Sequence, residues 1–152
     1  TIYCIDTSSL INLKWPLQMK EILPTIWGKL DTMVKNGELI SPLEVYKEIE
    51  RRKDAIYNWC KNNKRMFKDV DECQLQKIQD VKRQYHKSYW ENEINKTSPW
   101  ADPWVITLSI CEEAIIVADE KNVPNRIPVI SVVFGVKCLE LLDFFKEIGI
   151  KY

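Results

Sequence analysis

A single histidine, few glycines and no phosphate-cradling motif limit the chemistry open to this 152-residue chain before anything else is considered. His86 is the lone imidazole, so a ribonuclease built on paired imidazoles and a His-rich zinc site are both excluded, and a Ser-His-Asp triad has one candidate histidine. Only 4 glycines occur, and neither GxxxxGK(S/T) nor GxGxxG is present, which argues against a glycine-rich phosphate loop. The 5 cysteines are odd in number and contain no CxxC pair, so neither a disulfide framework nor a zinc knuckle is expected. Cys4 and Cys138 lie in apolar runs, where a free thiol acts as a small hydrophobe in a reducing compartment. No apolar run approaches the roughly 18–20 residues that span a bilayer, and no basic segment followed by an apolar one opens the chain. The expected location is cytoplasmic.

What remains is the composition of one globular domain over residues 1–152, with 45% apolar and 29% charged residues. At this length about 68–70% of the unfolded surface is buried on folding, enough for one core without covalent staples. Lys/Arg and Asp/Glu balance at 22 each, but unevenly along the chain: residues 47–87 carry 12 basic against 7 acidic side chains, and residues 88–152 carry 6 against 10. Tyr57, Trp59, Phe67 and Tyr85 are interleaved with the basic residues, a mixture suited to phosphate contact and base stacking. Arg51, Arg52, Trp59, Lys64 and Arg65 are the candidate nucleic-acid contacts.

Short apolar runs alternate with helical periodicity. Residues 2–5 read as a buried strand ending at Asp6, followed by a short helix through Leu10 and Leu13 that Thr7, Ser8 or Ser9 can cap. A helix is predicted over 24–35 with Gly37 as its stop, then a strand over 38–40. Ser41, Pro42 and Glu44 read as N-cap, N1 and capping-box glutamate of a helix reaching Arg52. Residues 54–67 and 71–95 read as two further helices. Asp102-Pro103 reads as N-cap and N1 of another, by which Asp102→Asn keeps the cap and Asp102→Ala costs about 0.5–2 kcal/mol. A strand over 114–118 ends at Asp119 and Glu120; residues 128–135 suit strand or helix equally; 136–139 suit a last strand and 141–148 a last helix. Strands alternating with helices predict an α/β sandwich on a parallel sheet.

Open parallel sheets place their sites beyond the C-terminal strand ends, where this reading puts Asp6 and Asp119/Glu120. Glu48, one turn beyond Glu44, and Asp102 are positioned to join them. Carboxylates gathered in this way repel one another unless they hold a hard divalent cation, and Mg²⁺ or Mn²⁺ suits an all-oxygen set without histidine.

The segments IYCIDTSSLI at 2–11 (IYCIDTSSL with the following Ile), ISPLEVYKEIE at 40–50, ADPWVITLS at 101–109 and IIVADEK at 115–121 together resemble the successive acidic motifs of PIN domains. The resemblance spans nearly the whole chain and is closest to a prokaryotic PIN-like branch with an ADPW motif and a tail like Ile127-Pro128 followed by Gly135, Val136 and Cys138. It implies a three-layer α/β/α sandwich with a mainly parallel central sheet, in which Asp6, Glu48 and Asp102 are catalytic and metal-site carboxylates and Ser8 or Ser9 fills the hydroxyl position. The fourth acid is Asp119 or Glu120, because the usual Thr-x-Asp pattern is replaced by Val117-Ala118-Asp119-Glu120. The implied activity is a metal-dependent endoribonuclease, often the toxin of a toxin–antitoxin pair, with RNA as substrate, an antitoxin as protein partner and a homodimer as assembly. Two alternatives stay open: an inactive scaffold that binds nucleic acid or protein, and a DNA-directed nuclease of the same chemistry.

Overall fold

The computed structural model of the chain describes residues 1–14 and 24–150. Its elements in chain order are β1 (Tyr3–Ile5), α1 (Thr7–Asn12), α2 (Pro24–Lys35), β2 (Leu39–Pro42), α3 (Leu43–Glu50), α4 (Ala55–Asn62), β3 (Phe67–Lys68), α5 (Glu72–Lys82), α6 (Lys87–Ile94), α7 (Asp102–Glu112), β4 (Ile115–Val117), α8 (Ile127–Val133), β5 (Cys138–Leu139) and α9 (Leu141–Glu147). All strand pairs are parallel and the sheet order is β3-β2-β1-β4-β5. Helices flank the sheet in a three-layer α/β/α sandwich, as the sequence predicts.

β1 is central, and its residues are buried on both faces, which is why it reads as an unbroken apolar run and not as an alternation. Successive strand residues point to opposite faces. The Cys4 thiol accordingly approaches the Val105 carbonyl of α7 at 3.9 Å, while the Tyr3 ring packs edge-on against Phe144 of α9 at 4.9 Å, so α7 and α9 lie on opposite sides of the sheet. α7 is apolar almost all round, as a helix enclosed between layers must be. Its buried hydroxyls bond back within the helix, Thr107 to the Pro103 carbonyl at 2.6 Å and Ser109 to the Val105 carbonyl at 2.8 Å.

Several boundaries differ from the sequence reading. The region expected as a helix over 54–67 ends at Asn62, passes through a 3₁₀ turn at Lys64–Met66 and contributes the edge strand β3. The helix expected over 71–95 is divided, because His86 caps a new one: its Nδ1 accepts from the Ser88 amide at 3.2 Å. Residues 128–135 resolve as helix α8. Pro42 closes β2 and itself occupies the N-cap of α3, so the expected capping box does not form: the Ser41 hydroxyl donates to the Ile5 carbonyl at 2.7 Å, and Glu44 pairs with Lys47 at 2.8 Å. Cys73 and Cys111 form a disulfide between α5 and α7, where the sequence predicts none, while Cys4 and Cys138 are free thiols. The packing of these two helices brings the Cα atoms to 6.0 Å, a proximity that a separation of 38 residues does not reveal. Among the described residues no helix is long and apolar enough to cross a membrane.

Candidate metal centre

The sheet order runs from β1 toward β2 and β3 on one side and toward β4 and β5 on the other, which makes the gap between the ends of β1 and β4 the switch point where α/β sheets open a crevice. Asp6 follows β1 directly, and Asp119 and Glu120 follow β4 by two and three residues. Asp102, at the start of α7, reaches the same crevice, so that carboxylate oxygens of Asp6, Asp102 and Glu120 all lie within 4.8 Å of one another.

Asp6 is 2% exposed and caps α1: its Oδ2 accepts from the Ser8 hydroxyl at 2.7 Å and from the Ser8 amide at 3.3 Å. Of the two hydroxyls, Ser8 is the one bonded to Asp6, whereas Ser9 is fully buried in the core. The second Asp6 oxygen, Oδ1, is buried without a hydrogen-bond partner, and the same holds for Glu120 Oε1. The other Glu120 oxygen, Oε2, faces Arg126 Nη1 at 3.3 Å, and the Arg126 guanidinium lies 6.0 Å from the centre of the Tyr89 ring.

Burial followed by the charge of Glu120 pushes the Asp6 carboxyl up to about 7. Asp102 is raised well above its ordinary range, first by burial, then by the charges of Asp6 and Glu120 and the close approach of the Glu120 carboxyl. Burial also raises Glu48, against the hydrogen bond that its Oε1 accepts from the Ala101 amide at 2.6 Å. Glu48 thus stands beside the other three and holds the entry to α7 in place.

Asp102 is not the N-cap that the sequence suggests. Ala101 occupies that position, Asp102 is the first helical residue, Pro103 the second, and no side chain caps the helix. The Asp102 carboxylate is free of a capping role and faces its fellow acids. Asp119 does the reverse: its Oδ2 accepts from Asn12 Nδ2 at 2.7 Å and its Oδ1 from the Leu141 amide at 2.9 Å, so both oxygens tie α1 and α9 to the end of β4. Of the two adjacent acids, Glu120 is the one brought to the cluster. Replacing Asp119 by alanine is accordingly expected to cost about 1–3 kcal/mol in thermal or urea unfolding, through the unpaired Leu141 amide.

The expected nucleic-acid contacts divide. Arg51, Arg52, Lys64 and Arg65 are exposed, with Arg52 paired to Asp54 at 2.9 Å. Trp59 is withdrawn from any such role: it is buried edge-on against Trp27 at 5.4 Å, and its indole N–H donates to Asp31 at 3.0 Å. Two residues that the sequence did not single out for the site belong to its surroundings, Arg126 and the Tyr85 phenol. The Tyr85 hydroxyl is buried without a partner, and burial, then the charges of Asp102 and Glu120, raise its pKa. Only the basic and aromatic composition around Tyr85 hinted at it.

An all-oxygen donor set whose buried oxygens lack hydrogen-bond donors fits a hard divalent cation such as Mg²⁺ or Mn²⁺. Mutually repelling buried carboxylates without a counter-charge are otherwise costly. The model of a family described as Domain of unknown function (DUF4411) matches residues 3–152. No curated protein matches the chain.

Proposed function

We propose, for a chain that belongs to the DUF4411 family, a Mg²⁺- or Mn²⁺-dependent hydrolase that cuts RNA phosphodiesters internally through Asp6, Asp102 and Glu120, with Glu48 alongside. The observation that carries this reading is the convergence of these carboxylates with two buried oxygens left unpaired. The resemblance to PIN domains supports RNA as substrate and a toxin role opposed by an antitoxin, with a homodimer as the assembly.

When bound, the cation would supply a water of lowered pKa and neutralise charge at the reacting phosphate. The chain supplies the rest. Ser8 holds Asp6 Oδ2 and leaves Oδ1 as the free ligand atom, and the Ala101 amide does the same for Glu48 through Oε1. Arg126, 45% exposed beside Glu120, offers a guanidinium to a phosphate oxygen. The lone His86 is engaged in capping α6, so no imidazole pair serves to deprotonate a ribose 2′-hydroxyl. Water then attacks phosphorus and the 3′-oxygen departs.

The expected products carry a 5′-phosphate and a 3′-hydroxyl, checked by end-labelling and mass spectrometry of digests made with Mn²⁺. Ends bearing 2′,3′-cyclic phosphate contradict this mechanism. RNA and DNA digested side by side decide the substrate, and failure to cut either in the presence of Mn²⁺ or Mg²⁺ leaves the scaffold reading in its place.

A further inference from the structure

A groove of about 350 Å³ opens next to the carboxylates, walled by Trp90, Trp100, Trp104 and Pro103, with Glu44 and Glu93 at its rim. Its volume falls within the range of about 300–1,000 Å³ of small-ligand clefts. It neighbours the site along two elements. Trp100 and Pro103 flank the Ala101-Asp102 step, and Glu44 lies one turn before Glu48 on α3. Trp100 meets Trp90 and Tyr85 edge-on, each at 5.1 Å, so the wall is held by ring packing and is not a set of loose side chains.

Aromatic rings with carboxylates nearby also suit a cationic side chain. Here the chain's own lysines take that place: Lys47 pairs with Glu44 at 2.8 Å, Lys96 with Glu93 at 2.9 Å, and Lys82 stands over Trp90 at 5.5 Å. What remains open is an indole-walled slot whose two rim carboxylates are neutralised by lysines, a combination that offers ring faces to an unpaired base without repelling its backbone.

We infer that this groove is a stacking subsite for one unpaired nucleobase of a strand whose phosphate lies at Asp6, Asp102 and Glu120. The inference rests on the phosphodiester reading and adds that the substrate is single-stranded, because the bases of a duplex already stack on one another and offer no free face. It also places the stacking platform on α6, α7 and the segment between them and not at Trp59.

The test is a tryptophan-fluorescence titration with a short single-stranded oligoadenylate and with its duplex, in Ca²⁺ to neutralise the carboxylates. Binding of the single strand should quench fluorescence. Trp104→Ala should weaken its affinity roughly 5- to 150-fold, the loss of one stacked base, while the salt slope stays unchanged. Trp104→Phe should keep most of the affinity, and circular dichroism of both variants should match the parent. Unchanged affinity in Trp104→Ala, equal binding of the duplex, absence of single-strand binding, or quenching by an arginine-rich peptide in its place each overturns the inference. A protein that binds and quenches but cuts nothing in Mn²⁺ sinks the hydrolase reading alone. One that cuts RNA with an unchanged KM after Trp104→Ala sinks the groove alone.

Discussion

Replacing Asp102 with asparagine is expected to abolish Mn²⁺-dependent cleavage and most Mn²⁺ binding, while leaving the metal-free protein at least as stable as the parent. Asp102 sits at the first helical position of α7 without a capping bond, so no cap is lost. What asparagine forfeits is a favourable interaction with the helix dipole, about 0.3–1 kcal/mol. What it removes is one of three carboxylates whose oxygens lie within 4.8 Å of each other, in a crevice where burial and repulsion already hold Asp102 far above its ordinary pKa. The second effect is the larger above neutral pH. Each kcal/mol gained raises the melting temperature by about 2–4 °C in a protein of this size.

Asp102→Ala is expected to follow Asp102→Asn closely, instead of falling behind it by the cost of a cap. On the proposed reading, Mn²⁺ at a hundred times its dissociation constant stabilises the parent by about 2.7 kcal/mol, through binding to the native state only. Scanning calorimetry of both variants with and without Mn²⁺ should show that increment largely gone. An undiminished increment, with cleavage intact in Asp102→Asn, removes Asp102 from the site.

Acidity should act on the metal-free protein in the direction opposite to that of most carboxylates. A buried acid with a raised folded-state pKa binds more protons in the native than in the unfolded state between the two values, so its contribution is present at low pH and is lost as pH rises. For Asp6 that window runs from about 4, the unfolded value, to about 7 in the fold, and Asp102 and Glu48 shift the same way. The loss for Asp6 is on the order of 3–4 kcal/mol. Urea unfolding in EDTA should therefore show the protein less stable at pH 8 than at pH 5.5. Mn²⁺ binds the deprotonated acids, so its stabilisation should grow over the same interval. A metal-free protein whose stability climbs steadily from pH 5.5 to 8 contradicts the raised values, and an Mn²⁺ effect independent of pH contradicts these acids as ligands.

The alternation of buried strands and helices, and the acids that close β1 and β4, were legible in the sequence because a strand covered on both faces is a short apolar run that must end at a polar residue. The two-residue strand β3 was not, since Phe67 and Lys68 carry no periodicity of their own and pair only because β2 lies beside them. Pro42 suggested a helix starting one residue too early, and Pro103 one starting a residue too late. Proline fixes its own φ, but it tolerates the cap, first and second positions alike, and tertiary packing chooses among them. The choice between Asp119 and Glu120 was likewise out of reach, because it depends on the Leu141 amide and on Asn12, 22 and 107 residues away. The burial of Trp59 depends in the same way on Trp27 and Asp31, on a helix remote in sequence.

The Ser8 hydroxyl has one hydrogen and two neighbours that fix where it goes. The Asp119 amide donates into its oxygen at 3.0 Å, so its own proton points at Asp6 Oδ2, 2.7 Å away. A hydroxyl is ordinarily a free rotor, able to serve donor or acceptor as occasion demands. Here the backbone after one strand sets the polarity of a side chain after another, and the two strand ends are joined by a bond that runs in one direction only. Asp6 is thereby offered to the crevice by a single oxygen and not by both, which makes the geometry of the centre a property of the distance between β1 and β4.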